Sequence, residues 1–292
     1  MQVGAFEIVE PTPELNAPHA LVMLRPWIDV GSVGTLALSR MERHLRAKPL
    51  GKLAKPGTFF DFTRYRPVIS TRAGKRDITV PNVSITYAKR DKGHDFIFMH
   101  LLEPHMFAEE FTDSILDLIR VFNVKRYALI GGMYDAVPHT RPLLVTGSVK
   151  GSETEEQTSA AKVEQSTYEG PTTITYLVGI KAQEFGVETA SLIVHLPQYV
   201  QLEEDFMGMA RLLEVLGSMY GLPKHLVDRK KGEAQYQDFA RMVENNPRLK
   251  PVIEQLEANY DSRGSGHPKQ ASTPLAPEVQ RFLEEMDQKF ED

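Results

Sequence analysis

The stretch HDFIFMHLLEPHMFAEEFTDSILDLIRVFNVKRYALIGG, residues 94–132, decides the fold of this chain. It begins with an apolar run typical of a buried strand and ends with a second such run, YALIGG. Between them the apolar residues recur every three or four positions, which predicts an amphipathic helix. The buried face of that helix consists of Phe111, Ile115, Leu118, Ile119 and Phe122. Because a strand–helix–strand crossover joins parallel strands of one sheet, the stretch predicts an α/β fold with helices on both faces of a parallel or mixed sheet.

The neighbouring segments repeat the pattern. HALVMLRP (19–26) predicts a buried strand, and VGTLALSRMERHL (33–45) predicts the helix that follows it after a short turn. Further strands are predicted at GTFFDF (57–62), DITVPNVSITYAK (77–89) and ETASLIVHLPQYV (188–200), and a further helix at EDFMGMARLLEVLGSMYG (204–221). We therefore expect a three-layer α/β/α sandwich around a mixed sheet, followed by a C-terminal helical extension.

Beyond residue 225 the pattern becomes helical. We predict an α/β domain over 1–225, a helical extension over 226–260, a flexible linker over 261–274 and a docking C-terminal helix over 275–292. The last helix carries an apolar stripe formed by Phe282, Leu283, Met286 and Phe290. A helix this short is marginal in water unless it docks, either on its own domain or on a neighbouring subunit.

Composition limits the class of function. A formal charge of −5 with a pI near 6.0 argues against a nucleic-acid binder, because phosphate contacts need a basic face. The absence of cysteine excludes disulfides and thiolate metal sites. No apolar run approaches the roughly 20 residues that a membrane-spanning helix needs. We therefore expect a cytoplasmic protein that binds neither nucleic acid nor membrane.

The clearest candidate site is the loop PHTRP, residues 138–142, which follows the YALIGG strand. Its two prolines restrict the backbone, and ligands of open α/β sheets lie beyond the carboxyl ends of strands. His139, Thr140 and Arg141 are thus candidates for contact with a ligand or partner. The structural alternative is that Arg141 pairs with Asp135 or Glu103 while His139 donates to a backbone carbonyl.

Two carboxylates complete the candidate set, Asp29 after the first strand and Glu103 in LLEP. Asp29 is interpreted first as a turn or helix-start residue whose carboxylate accepts backbone N–H bonds, and second as an exposed acid at the mouth of a pocket. The glycines beside it match neither a phosphate loop nor a dinucleotide fingerprint. His100 and His105 lack a metal-ligand spacing. We predict no catalytic set, no metal and no cofactor.

Several motifs together resemble the bacterial and archaeal branch of the proteasome assembly chaperone family over about residues 20–225. They are PWIDVG, FFDFTRYRP, LLEP, VPHTRPLLVTG, YEGPTTI and HLPQYV, in that order along the chain. The resemblance implies a fold like that of nucleoside phosphorylases and related hydrolases, self-association, and protein partners such as proteasome components. The chain departs from the family in Leu102 and His105 of LLEPH, and its final KFED lacks the tyrosine that some members use to dock on proteasome α-subunits.

Two hypotheses of function follow. The first is a non-enzymatic protein-binding or assembly-chaperone-like module that forms a homo-oligomer, with a proteasome-related or other protein as a further partner. The alternative is a small-molecule binder or enzyme, for a nucleoside- or carboxylate-type ligand, that uses the PHTRP loop.

Overall fold

The computed structural model describes residues 1–72, 74–244 and 249–263. The strands are β1 Gln2–Val3, β2 Phe6–Ile8, β3 His19–Arg25, β4 Lys48–Leu53, β5 Val68–Arg72, β6 Lys75–Thr79, β7 Ser84–Ala88, β8 Phe96–Leu102, β9 Arg126–Asp135, β10 Val145–Gly147, β11 Val149–Lys150, β12 Glu164–Gln165 and β13 Glu188–Pro197. The helices are α1 Val33–Leu45, α2 Ala108–Val121, α3 Ser152–Ala160, α4 Ile174–Gln183, α5 Phe206–Tyr220, α6 Lys230–Glu244 and α7 Leu249–Arg263. Single 3-10 turns occupy Val30–Ser32, Pro56–Thr58 and Lys224–Leu226.

Within the described residues, eleven strands form one mixed sheet in the order β1-β2-β4-β7-β8-β3-β9-β13-β10-β12, with β11 also paired to β13. Its centre, β8-β3-β9-β13, is parallel, and the strands β7, β4 and β2 beside β8 pair antiparallel. His19 of β3 stands opposite Phe96 of β8 and Arg126 of β9. The crossover predicted from residues 94–132 therefore exists, and it passes over β3.

Helices cover both faces of the parallel centre, which confirms the three-layer α/β fold. Helices α1 and α5 pack together on one face, and α2 and α4 pack together on the other. β3 is buried on both faces because its alternate side chains enter the two different cores. Leu21 and Met23 lie in the core beneath α1, whereas Ala20, Val22 and Leu24 lie in the core beneath α2.

The helical extension packs onto the α/β domain. Tyr236 of α6 and Val252, Ile253 and Leu256 of α7 belong to the same apolar core as α1 and α5. Helix α7 continues through Arg263, into the stretch predicted as a linker. The remainder of that linker and the predicted docking helix, with Phe282, Leu283, Met286 and Phe290, lie outside the described residues. Among the helices that are described, none is both long and apolar enough to cross a bilayer.

The segment GTFFDF is not a strand, contrary to the prediction. It contains the end of the 3-10 turn Pro56–Thr58 and a following turn, in which the amides of Phe59 and Phe60 both bond to the carbonyl of Pro56. Phe59 and Phe60 are buried against Phe111 of α2. These residues are apolar because they are buried in a turn, and a short apolar run of this kind looks like a strand in the sequence.

Candidate functional site

Asp29 directly precedes the 3-10 turn Val30–Ser32, which leads into α1, and it is buried. Its Oδ1 accepts the backbone N–H of Thr35 at 3.0 Å, and its Oδ2 accepts the Thr35 hydroxyl at 2.6 Å. Burial raises the pKa of Asp29, and the hydrogen bonds from Thr35 act in the opposite direction. The carboxylate thus accepts a backbone N–H at the beginning of the helix, as the sequence predicts.

The loop that carries Asp29 is held against β9 by a close backbone approach. Asp29 bridges Gly132, and the Gly132 N–H donates to the carbonyl of Ile28 at 2.8 Å. A Cβ atom on Gly131 would lie 2.1 Å from that same carbonyl oxygen, so only glycine fits there. The two glycines that end YALIGG therefore allow the backbone of the loop after β3 to pack directly against the backbone of β9.

Glu103 follows β8 and lies in a half-buried environment shared with the turn at residues 59–65. Its N–H donates to the carbonyl of Arg25 at 2.9 Å, and burial raises the pKa of its side chain. Next to it, His105 Nδ1 accepts the N–H of Asp61 at 3.1 Å, and the His105 ring packs on Tyr65 with centroids 4.6 Å apart. His105 thus links the turn to the end of β8.

His139 is enclosed by aromatic side chains. The hydroxyl of Tyr199 accepts the His139 backbone N–H at 2.8 Å and lies within hydrogen-bond distance, 3.0 Å, of the His139 Nδ1. The His139 ring also meets Phe239 and Tyr236 of α6 edge to face. Burial lowers the pKa of His139, which keeps the imidazole neutral. The predicted bond from His139 to a backbone carbonyl is wrong, because its Nδ1 bonds to Tyr199 and its buried Nε2 has no hydrogen-bond partner among the described residues.

Thr140 and Arg141 bind helix α7. The Arg141 guanidinium bonds to both oxygens of Asp261, Nε at 2.9 Å and Nη2 at 2.8 Å, and its Nη1 lies 3.3 Å from Glu257 Oε1. The Thr140 hydroxyl also donates to Glu257, and Tyr260 Oη donates to the carbonyl of Pro142 at 2.7 Å. The hydrogen bonds to Asp261 raise the pKa of Arg141.

An internal carboxylate therefore neutralises Arg141, but the predicted partners Asp135 and Glu103 are wrong. The true partners lie 116 and 120 residues further along the chain. The PHTRP loop thus joins the carboxyl end of β9 to α7.

The predicted residues do not converge on one pocket. Asp29 is buried in the turn between β3 and α1, Glu103 follows β8, and the PHTRP loop follows β9. Strand β3 lies between β8 and β9, which separates the last two positions by about 10 Å. The described residues also hold no group of three or more His, Asp or Glu placed to bind a metal ion.

A chain of polar groups that the sequence did not predict links β9, β13 and β10. His195 Nδ1 lies 2.8 Å from Asp135 Oδ2, and His195 Nε2 lies 2.8 Å from the Thr146 hydroxyl. Burial alone would raise the pKa of Asp135, but the hydrogen bond and charge of His195 outweigh it and lower that pKa. The order hydroxyl, imidazole, carboxylate is that of a serine-hydrolase triad. Here each group stands on a different strand, so the bonds tie three strands together. In the sequence, the only sign of this contact is that two predicted strands, β9 and β13, both carry polar residues near their carboxyl ends, Asp135 and His195, which parallel pairing brings together.

A hairpin of β5 and β6 forms a separate two-stranded sheet. Val68, Ile69, Ile78 and the adjoining Val80 expose between 41% and 64% of their surface. Ile69 and Ile78 stand directly opposite each other. The hairpin therefore presents an apolar surface that the described part of the chain leaves uncovered.

A family model described as the PAC2 family matches residues 23–239 of the chain. No curated protein matches it. Among solved structures, the Mycobacterium tuberculosis protein of unknown function Rv2714 is similar with a TM-score of 0.76 and 22% identity, over 98% of each chain. The proteasome-assembly chaperone homologue Rv2125 of the same organism is similar with a TM-score of 0.69 and 22% identity, over 80% of this chain and 99% of that one.

The archaeal proteasome activator PbaB of Pyrococcus furiosus is similar with a TM-score of 0.61 and 18% identity, over 83% of this chain and 98% of that one. At these identities the likenesses show the fold. The expected likeness to nucleoside phosphorylases stays a prediction.

Proposed function

Because the chain belongs to the PAC2 family, we propose that it acts by binding other proteins, as an assembly-chaperone-like module of the cytoplasm that self-associates. Proteasome components are the first partners to test, since two proteins of the same fold are described as a proteasome-assembly chaperone homologue and an archaeal proteasome activator. A binding role also agrees with the PHTRP loop, because the guanidinium of its Arg141 already bonds to Asp261 within the chain.

The β5–β6 hairpin is the observation that carries this proposal. A two-stranded hairpin without further contacts is marginally stable in water, and contiguous exposed apolar side chains mark interaction sites. This hairpin has exposed valine and isoleucine side chains and unpaired outer edges among the described strands. Contact with a further surface would stabilise it.

We assign a second copy of the chain to this surface on grounds of charge. The hairpin sequence carries Arg72, Lys75 and Arg76 against Asp77, a net charge of +2. Since the whole chain carries −5, the residues outside the hairpin carry −7. A basic arm with apolar side chains thus suits the acidic body of another copy.

Light scattering coupled to size exclusion tests self-association. We expect the wild-type chain to elute as an oligomer, and the double variant Ile69→Thr/Ile78→Thr to elute with a lower mass, because threonine keeps the β-branched shape but removes apolar surface. Met242→Thr is the matched control, since Met242 of α6 is 60% exposed elsewhere on the surface. A monomeric wild type, or equal masses for wild type and hairpin variant, would contradict the proposal.

The partner is tested separately. Purified chain immobilised on a sensor is exposed to isolated proteasome α-subunits and to the assembled core particle. Saturable binding that the hairpin variant retains places the proteasome contact elsewhere on the chain. An absence of binding to both forms removes the proteasome as partner and leaves self-association to be judged by its own experiment.

The alternative, a ligand held by the PHTRP loop, has less support. Two side chains of α7 engage the Arg141 guanidinium, and Tyr199 engages the Nδ1 of His139. A ligand there would have to displace α7 first.

A further inference from the structure

A polar groove of about 540 Å³ lies between α1 and the sheet, above β7 and β8. Its lining combines three arginines, four hydroxyl side chains, one carboxylate and one imidazole: Arg25, Arg43, Arg46, Thr35, Ser39, Ser84, Thr86, Glu42 and His100, with Ala47. It lies beside the parallel centre of the sheet, at the junction with the antiparallel strands. It shares no residue with the PHTRP loop.

The arginines converge from different elements. Arg25 ends β3, whereas Arg43 lies in the last turn of α1 and Arg46 directly follows that helix. All three are exposed, and their guanidinium groups form no hydrogen bond or close ion pair with any residue that the structure describes. Arginine at a helix C-terminus interacts favourably with the helix dipole, but this does not explain Arg25, which belongs to a strand.

The floor of the groove is fixed. Glu42 Oε1 accepts the Thr86 hydroxyl at 2.5 Å, and Glu42 Oε2 lies 2.9 Å from His100 Nε2. The three guanidiniums and this one carboxylate together contribute a formal charge of +2 to the groove, in a chain whose formal charge is −5. The hydroxyls of Ser39 and Ser84 have no hydrogen-bond partner within the described residues.

We propose that this groove binds a phosphorylated polyol or sugar. Guanidinium groups match the oxygens of a phosphoryl group in geometry and charge, which accounts for the arginines. A ligand that was anionic throughout would be repelled by Glu42. The ligand therefore places its hydroxyl groups toward Glu42, Ser39 and Ser84, and its phosphoryl group toward the arginines at the rim.

Titration calorimetry and thermal shift test this assignment with ribose phosphate, free ribose and inorganic phosphate as probes. We expect ribose phosphate to bind and to raise the melting temperature at millimolar concentration, more than either of the other two. The double variant Arg43→Gln/Arg46→Gln should weaken that binding at least about tenfold, as expected when a charged hydrogen-bonding partner of phosphate is lost. Its unfolding temperature without ligand should stay that of the wild type, because both side chains are exposed.

Arg241→Gln is the matched control, since that arginine lies in α6 with 70% of its side chain exposed. It should leave ribose phosphate binding unchanged. No binding of ribose phosphate, or equal binding by the Arg43→Gln/Arg46→Gln variant, would overturn the proposal. Equal affinity for inorganic phosphate and ribose phosphate would overturn the assignment to a hydroxyl-bearing ligand. These binding measurements do not depend on self-association, which light scattering measures separately as the mass of the protein in solution.

Discussion

Leu256→Ala separates the two kinds of contact that hold α7 on the domain. Leu256 is fully buried in the core beneath α1 and α5, together with Val252 and Ile253 of the same helix. Removing a buried leucine side chain costs about 2–5 kcal/mol, from lost transfer energy and the cavity left behind. The polar contacts of Arg141 with Asp261 are exposed to solvent, which screens them. We therefore expect Leu256→Ala to release α7 and Arg141→Gln to leave it bound.

Hydrogen exchange measured by mass spectrometry on peptides from α7 reports its release directly. The amides of α7 should exchange faster in Leu256→Ala by a factor that matches the loss of stability, and urea unfolding should give the change in the global free energy. Leu256→Met is the control, since a swap that conserves volume costs less than about 1.5 kcal/mol. If Arg141→Gln accelerates exchange in α7 as much as Leu256→Ala does, polar contacts hold the helix and this reasoning is wrong.

Three further changes test the interior. Burial and the nearby charge of Arg126 lower the pKa of His19 from 6.5 to about 3. The neutral His19 therefore contributes its full share to the free energy of unfolding above pH 6.5, and that share is lost as the pH falls toward 3. Between pH 6.5 and 3 the free energy of unfolding of the wild type should thus fall by up to about 5 kcal/mol more than that of His19→Phe. Urea unfolding across this pH range measures the difference, and parallel pH profiles for the two proteins would refute the prediction. Arg126→Met should lower the free energy of unfolding by about 3–5 kcal/mol, because Arg126 is fully buried and pairs with Glu188 at 2.8 Å. The double variant Arg126→Met/Glu188→Gln should recover part of this loss, because it also removes the unpaired carboxylate. Gly147→Ala should lower the melting temperature, since its Cβ would lie 1.9 Å from a carbonyl oxygen of β13, and an unchanged melting temperature would show that β10 can shift freely.

The parallel centre could be predicted because local sequence dictates it. β3, β8 and β9 are buried on both faces, so they appear as continuous apolar runs, and α1 and α2 carry apolar stripes at helical spacing. The outer strands lack such a signal. β4, with the sequence KPLGKL, carries two lysines and a proline, and it is a strand because β2 and β7 pair with it from either side.

The candidate site was predictable only where its partners are close in sequence. Asp29 bonds to Thr35, six residues away, and the helix-start pattern contains both. Arg141 instead bonds to residues of α7 that lie more than a hundred positions later, and the nearer carboxylates Asp135 and Glu103 were the natural but wrong choices. Asp135 is taken by His195, which belongs to the neighbouring strand β13. Such contacts depend on which distant strands and helices lie side by side, and local patterns in one sequence do not reveal this.

The position of α7 bears on where a ligand can bind. Open α/β sheets bind ligands beyond the carboxyl ends of their strands, and at the end of β9 this chain places its own helix, joined to the PHTRP loop through Arg141. The guanidinium that invites an anion there is already neutralised. The guanidinium groups of the α1 groove have no such partners among the described residues. Burial raises the pKa of Asp29, and the charge of Arg25 acts in the opposite direction. An anion that approaches this protein therefore gains more at the groove, where no internal carboxylate must first be displaced from the arginines.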